Sequence, residues 1–140
     1  PIAVILKHLA GNLRSRWTDF LTADGEKPDR DRESEFSDDG LARDEALARW
    51  AGAWEIMVRQ VGALTAPDLA RTVTIRGQAH TVARAICRAL DHNAYHVGQI
   101  VLIAKILAGP TWKHLTVAPG GSRAFNASLG FDPGSGAGAR

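Results

Sequence analysis

Val82, Ile86, Ala89, Asn93, His96, Ile100, Ile103 and Leu107 follow one another in alternating steps of four and three residues, without a slip. A stripe at that spacing lies along one side of an α-helix and forms a wall of a helix-bundle seam. It predicts a helix over roughly Thr81–Leu107 that is buried along one face. Two members of the stripe, Asn93 and His96, are polar, and His92 lies at its edge. An unpaired polar group in a bundle core costs about 1–3 kcal/mol. These side chains therefore need partners, and the seam marks where function is to be sought.

Two further blocks carry the same kind of pattern. Ile2, Ile5, Leu6, Leu9, Leu13, Trp17, Phe20 and Leu21 define a helix over roughly Ile2–Leu21, weakened at Gly11 by about 1 kcal/mol relative to alanine. Leu47, Trp50, Ala51, Trp54, Met57, Val58 and Val61 define another over roughly Leu41–Leu64, with Arg43, Asp44, Glu45, Arg49, Glu55 and Arg59 on its wet side. A chain of 140 residues with 45% apolar and 23% charged side chains suits one globular core. The expected class is all-α. Its domain spans residues 1–126, with an irregular segment from Thr111 whose anchors are Trp112, Leu115, Val117 and Phe125. A flexible Gly-rich tail is expected over 127–140.

Between the blocks, residues 22–40 read as a long charged crossover exposed to solvent. Thr72–Arg76 alternates like a short strand ending at Gly77, but a single strand makes no sheet. His80 is expected to cap or flank the third helix, and His114 to face solvent. Cys87, the only cysteine, is expected to be a buried structural thiol; it excludes an intrachain disulfide and fits a cytoplasmic location. The formal charge is +2, from 17 basic and 15 acidic residues that are interleaved, so no basic stripe for nucleic acid is present. No apolar run approaches the ~20 residues of a membrane span, and Pro1–His8 lacks the basic leader of a signal peptide.

His92 and His96, four residues apart, project from one helix face and supply half of a transition-metal site. The best third ligand is His8, on the edge of the first stripe, if the first and third helices pack together. Asn12, Asn93 and Gln99 are the candidate outer hydrogen-bond partners or substrate contacts. The pair reads His-Asn-Ala-Tyr-His, without the glutamate of an HExxH peptidase, so that chemistry is excluded. No Ser-His-Asp set, phosphate-binding glycine loop or paired-carboxylate site is visible. A metal-free core of hydrogen-bonded histidines satisfies the same pattern.

The phrases Val4-Ile5-Leu6-Lys7-His8-Leu9-Ala10-Gly11-Asn12 and Tyr95-His96-Val97-Gly98-Gln99-Ile100 resemble one bacterial branch of the DinB-like superfamily. So do Asp24-Gly25-Glu26-Lys27-Pro28 and Ala124-Phe125-Asn126. The resemblance runs from His8 to about Asn126. It implies an up-down-down-up four-helix bundle with a divalent metal ion, zinc or nickel first, held by His8, His92 and His96.

Characterised relatives include metal-dependent transferases and isomerases that use low-molecular-weight thiols. The implied activity is therefore transfer of such a thiol to a small electrophile, or thiol-dependent isomerisation. The alternative is a non-catalytic, stress-associated metal-binding or dimeric interaction protein. Members usually carry a helix before the first His-bearing one, whereas this sequence starts almost at His8. Either that helix lies outside the sequence or a second protomer covers the gap, and a homodimer is expected.

Overall fold

The computed structural model describes residues 1–131, and most of the Gly-rich stretch expected to form the tail lies outside them. The described chain is mainly helical. Helix α1 spans Ile2–Trp17, α2 Arg43–Gly62, α3 Val82–Ala108 and α4 Ser122–Ser128, with strands β1 (Thr72–Ile75) and β2 (Gln78–Thr81) before α3. Two compact units divide at Ala104–Lys105. No described helix is long and apolar enough to cross a membrane.

In the first unit, Leu9, Leu13 and Trp17 of α1 are fully buried. With Ala10, they repeat at the helical three-and-four spacing and give α1 its apolar face. That face packs with Ala53 of α2, Val73 and Ile75 of β1, and Val82, Ala85 and Ala89 of α3. Alanines at 46 and 53 are the buried residues of α2, small enough for α1 to approach closely. Trp50, Trp54, Met57 and Val61 pack beside this core, as their spacing predicts. Leu47 and Val58, expected on the same side, are exposed instead. Their directions fall outside the narrower arc that α1 covers.

The lone strand expected at Thr72–Arg76 is half of a hairpin, β1 pairing antiparallel with β2 from Thr72↔Thr81 to Ile75↔Gln78. Arg76 and Gly77 form the two-residue turn, both with positive φ (56° and 71°), the geometry that matches the twist of paired strands. The Asp24 carboxylate accepts hydrogen bonds from the Arg76 and Gly77 amides at 2.8 Å each, bracing a backbone that is uncommon for arginine. His80 accordingly sits in β2, buried opposite Val73, rather than capping α3; its Nδ1 has no hydrogen-bond partner among the described residues. Gln78-Ala79-His80-Thr81 was hard to see as a strand because only one of its side chains is buried.

Most of residues 22–40 are exposed, as a charged crossover should be, but the segment does not run free of the helices. It is fastened along the polar side of α1, where Ser15 Oγ donates to Gly25 O (3.1 Å) and accepts from the Lys27 amide (3.0 Å). Lys7 Nζ donates to Ser37 O and Asp39 Oδ2 at 2.8 and 2.9 Å. The loop thereby helps to bury Lys7, His8, Ser15 and Arg16, polar residues beside the apolar stripe of α1. Cys87 is also placed differently from expectation, being exposed on α3; it lies one residue past Ile86 on the seam, and a helical step of that size carries it off the buried face.

The second unit starts at Lys105. Its irregular segment contains the short helix α4, closed by the Phe131 amide on Asn126 O at 2.9 Å. Trp112 and Val117 are half-buried, while Leu115 and Phe125, expected as anchors, are exposed.

Candidate metal centre

His8 sits in the buried half of α1, and His92 and His96 lie one turn apart on α3. Their ring centroids are 5.2 Å (His8–His92), 5.0 Å (His8–His96) and 4.8 Å (His92–His96) apart. One nitrogen from each ring lies within 4.8 Å of the other two. The closest pair is His8 Nε2 and His92 Nε2, at 3.2 Å. Two imidazole nitrogens on one tetrahedral ion, each ~2.0–2.1 Å from it, stand about 3.3 Å apart. The first pair therefore already has the spacing of a shared ion, and the third ring offers a nitrogen within 4.8 Å of both.

Outer contacts fix which nitrogen two of the rings, His8 and His96, offer. His8 Nδ1 donates to Glu35 Oε2 at 2.9 Å, leaving Nε2 as the inward lone pair. Glu35 comes from a 3-10 turn, Ser34–Phe36, in the loop. Arg30 grips it from behind, donating from Nε to Oε1 and from Nη2 to Oε2, each at 2.8 Å. Burial alone would push the Glu35 carboxyl up, but the bonds from His8 and Arg30 outweigh it and hold the group below the usual carboxylate range. Phe36 stacks on His8 with centroids 4.6 Å apart. On α3, His96 Nδ1 lies 2.7 Å from Gln99 Oε1, which makes Nδ1 the donor and frees Nε2.

The two α3 rings are poised as neutral ligands. Burial, then the neighbouring His96 and His8, lowers the His92 pKa to about 4. Burial lowers His96 as well, partly countered by the bond to Gln99. A neutral imidazole is what a divalent ion requires.

The three outer candidates part company. Gln99 contacts a histidine directly. Asn12 lines the cavity beside the rings. Asn93 is buried but donates to Ala89 O at 2.7 Å on its own helix, and its Oδ1 has no partner among the described residues. Glu35, Arg30 and Phe36 were not foreseen, because a loop has no periodicity from which to read direction. A usable signal was Gly11, one turn from His8: an alanine Cβ there would meet Glu35 Cδ at 2.7 Å. An isolated glycine inside a helix often marks such a close approach.

Two hollows open on the rings. A cavity of about 630 Å³ is bounded by α1, α3, the loop and the hairpin, and includes His8, His92 and His96. An apolar groove of about 410 Å³, lined by Val4, Ile5, Phe36, Leu102 and Ile103, reaches His8 and His96.

Fold and site together define a mainly helical protein with three histidines, drawn from two helices, converging beside a cavity. Residues 1–121 match the family described as protein of unknown function (DUF1572), and the chain belongs to that family. No curated protein and no solved structure matches it.

Proposed function

We propose that this is a DinB-like metalloprotein in which His8, His92 and His96 hold one divalent ion, zinc or nickel first, and that it acts on small molecules. The observation carrying this reading is the convergence of three imidazoles from two helices, one nitrogen of each within 4.8 Å of the others. An N–H···N bond between His8 and His92 would account for 3.2 Å without an ion, but not for the third ring. His96 also offers a nitrogen to this centre, and its Nε2 has no hydrogen bond among the described residues. A carboxylate behind a ligating histidine is the usual device for orienting it and raising its basicity, and Glu35 stands in that place.

Three protein donors leave a coordination position open, and the described residues offer no fourth His, Cys, Asp or Glu to the group. A structural zinc site closes its shell with four protein ligands. The open position and the adjoining cavity therefore favour chemistry over a purely structural or stress-associated binding role. Bound here, the ion would lower the pKa of a thiol or water at neutral pH. The chain's own part is to orient three lone pairs, to keep His8 in one tautomer through Glu35, and to shield one side of the rings with Phe36. The reaction class that suits this, and that the family resemblance implies, joins a low-molecular-weight thiol to a small electrophile. The thiol proton passes to solvent, and a C–S bond forms as the leaving group departs.

The metal reading is tested by the metal content of tag-free protein. One ion per chain is expected in the wild type, and little in His92→Ala or His96→Ala; unchanged stoichiometry in both variants would overturn the assignment. Thiol consumption with reactive electrophiles then tests the activity.

Homodimer formation belongs to the same reading. Leu90 and Val97, seven residues apart on one side of α3, are exposed, and exposed apolar surface on a helix is a candidate contact. A solution mass equal to one protomer would remove that part.

A further inference from the structure

The 630 Å³ cavity is lined by five arginines, Arg16, Arg30, Arg32, Arg76 and Arg88, and by a single carboxylate, Asp91. Their pairing within the protein is unequal. Arg30 is satisfied by Glu35 and Glu26. Arg32 lies 3.6 Å from Glu33 and over the Phe36 ring. Arg76 Nε reaches Glu26 at 3.3 Å. Glu26 is thus shared between Arg30, Arg76 and Arg16, and reaches Arg16 only at 3.6 Å, beyond hydrogen-bond distance.

Arg16 is the anomaly. Its side chain is 9% exposed, and its Nη1 has no hydrogen-bond partner among the described residues. Gly25 is pressed against it; an alanine Cβ there would lie 2.8 Å from Arg16 Cδ. Burial, with Arg30, Arg88 and Arg76 nearby, lowers its pKa against the opposing pull of Glu26. A guanidinium still does not give up its proton near neutral pH. Arg88, the next cation around the cavity wall, has no ion pair among the described residues. A buried charge left short of partners costs several kcal/mol, and the protein retains one here, facing a hollow of small-molecule size.

We propose that the cavity seats a small organic oxyanion, carrying a carboxylate or a phosphate, gripped by Arg16 and Arg88, with its far end reaching the three histidines. The planar guanidinium fork matches both oxyanions. The seat itself is independent of a metal ion; only the reach to the histidines rests on the metal-site reading. In the proposed chemistry, this makes the thiol or its electrophile an acidic molecule, held by its charge so that its reactive end lies at the triad.

The test uses metal-free protein, stripped with a chelator that is then removed by gel filtration, and calorimetric titration with inorganic phosphate and with succinate. Binding of at least one probe is expected, weakening as chloride is raised. Arg88→Ala, an exposed change that leaves the core alone, and Arg16→Met should each weaken that binding at least tenfold. Arg43→Ala on α2 should not. Binding by the metal-free wild type, whatever the metal content of the protein as purified, separates this assignment from the metal reading. Phosphate alone, succinate alone, or both would identify the oxyanion the seat prefers. No binding of either probe, or wild-type binding by Arg88→Ala and by folded Arg16→Met, would overturn the proposal.

Discussion

Gly11→Ala offers a change whose sign depends on a neighbour. In a helix interior, alanine is favoured over glycine by about 1 kcal/mol, so the substitution alone should stabilise α1. The added Cβ, however, would sit 2.7 Å from Glu35 Cδ and closer still to Oε1. The carboxylate would have to move, yet it accepts three charge-assisted bonds, one from His8 and two from Arg30. Loss of one such bond costs about 1.5–3 kcal/mol, so Gly11→Ala should destabilise the wild type by about 0.5–2 kcal/mol net. With Glu35→Ala the obstruction disappears, and the same substitution should stabilise by up to about 1 kcal/mol. The coupling between the two sites is then about 1.5–3 kcal/mol. Urea unfolding of the four proteins, followed by circular dichroism in metal-free buffer, measures it. Additive effects, or a stabilised Gly11→Ala in the wild-type background, would refute the close approach of loop and helix on which the His8 geometry depends.

Removing the bond that orients His96, by Gln99→Leu, should weaken metal affinity about 10–100-fold while sparing the fold; competition with a colorimetric chelator reads the change, and unaltered affinity would deny Gln99 that role. In metal-free protein the unfolded chain takes up a proton on His92 near its ordinary value of 6.5, but the folded chain does so only near 4. Stability should therefore fall as pH drops from about 6.5 to 4 and stay level above 7, by about 1–2 kcal/mol once partial exposure is allowed for. His92→Gln should flatten that slope. Asp24, held at about 2 chiefly by the Gly77 and Glu26 amides, works at lower pH. Its contribution is complete above its ordinary value of 3.8 and fades as pH falls through 2. Asp24→Asn should lower the melting temperature at pH 7 and remove part of the loss seen between about pH 4 and 2.

What the sequence made legible follows from where periodicity operates. The seam from Val82 to Leu107 located α3 to within a residue or so at each end, because a buried face repeats with the helix turn, although its last member, Leu107, is exposed. His92 and His96 on one face followed from the same spacing. That His8 lies against them depended on how α1 meets α3, which no local pattern specifies. The loop's buried contacts escaped notice for a related reason: Arg30, Glu35 and Lys7 are charged residues that normally face water. They are buried here because each finds a partner some 5 to 32 residues away. β2 escaped notice because Gln78 and Ala79 alternate without an apolar partner, whereas the Arg76–Gly77 turn was written in the glycine alone.

The loop from Thr22 to Gly40 is attached to α1 largely by ionic and polar clasps, with little apolar surface of its own beneath it. Such a strap can lift as a unit at a lower free energy than the whole domain needs to unfold, and added salt eases the lifting. Each time it lifts, Phe36 leaves the face of His8 and Glu35 lets go of its ring nitrogen. Were an ion held by the triad as proposed, such lifting would let it exchange while Leu9, Leu13 and Trp17 stay packed, so uptake kinetics and global thermostability would respond to different mutations.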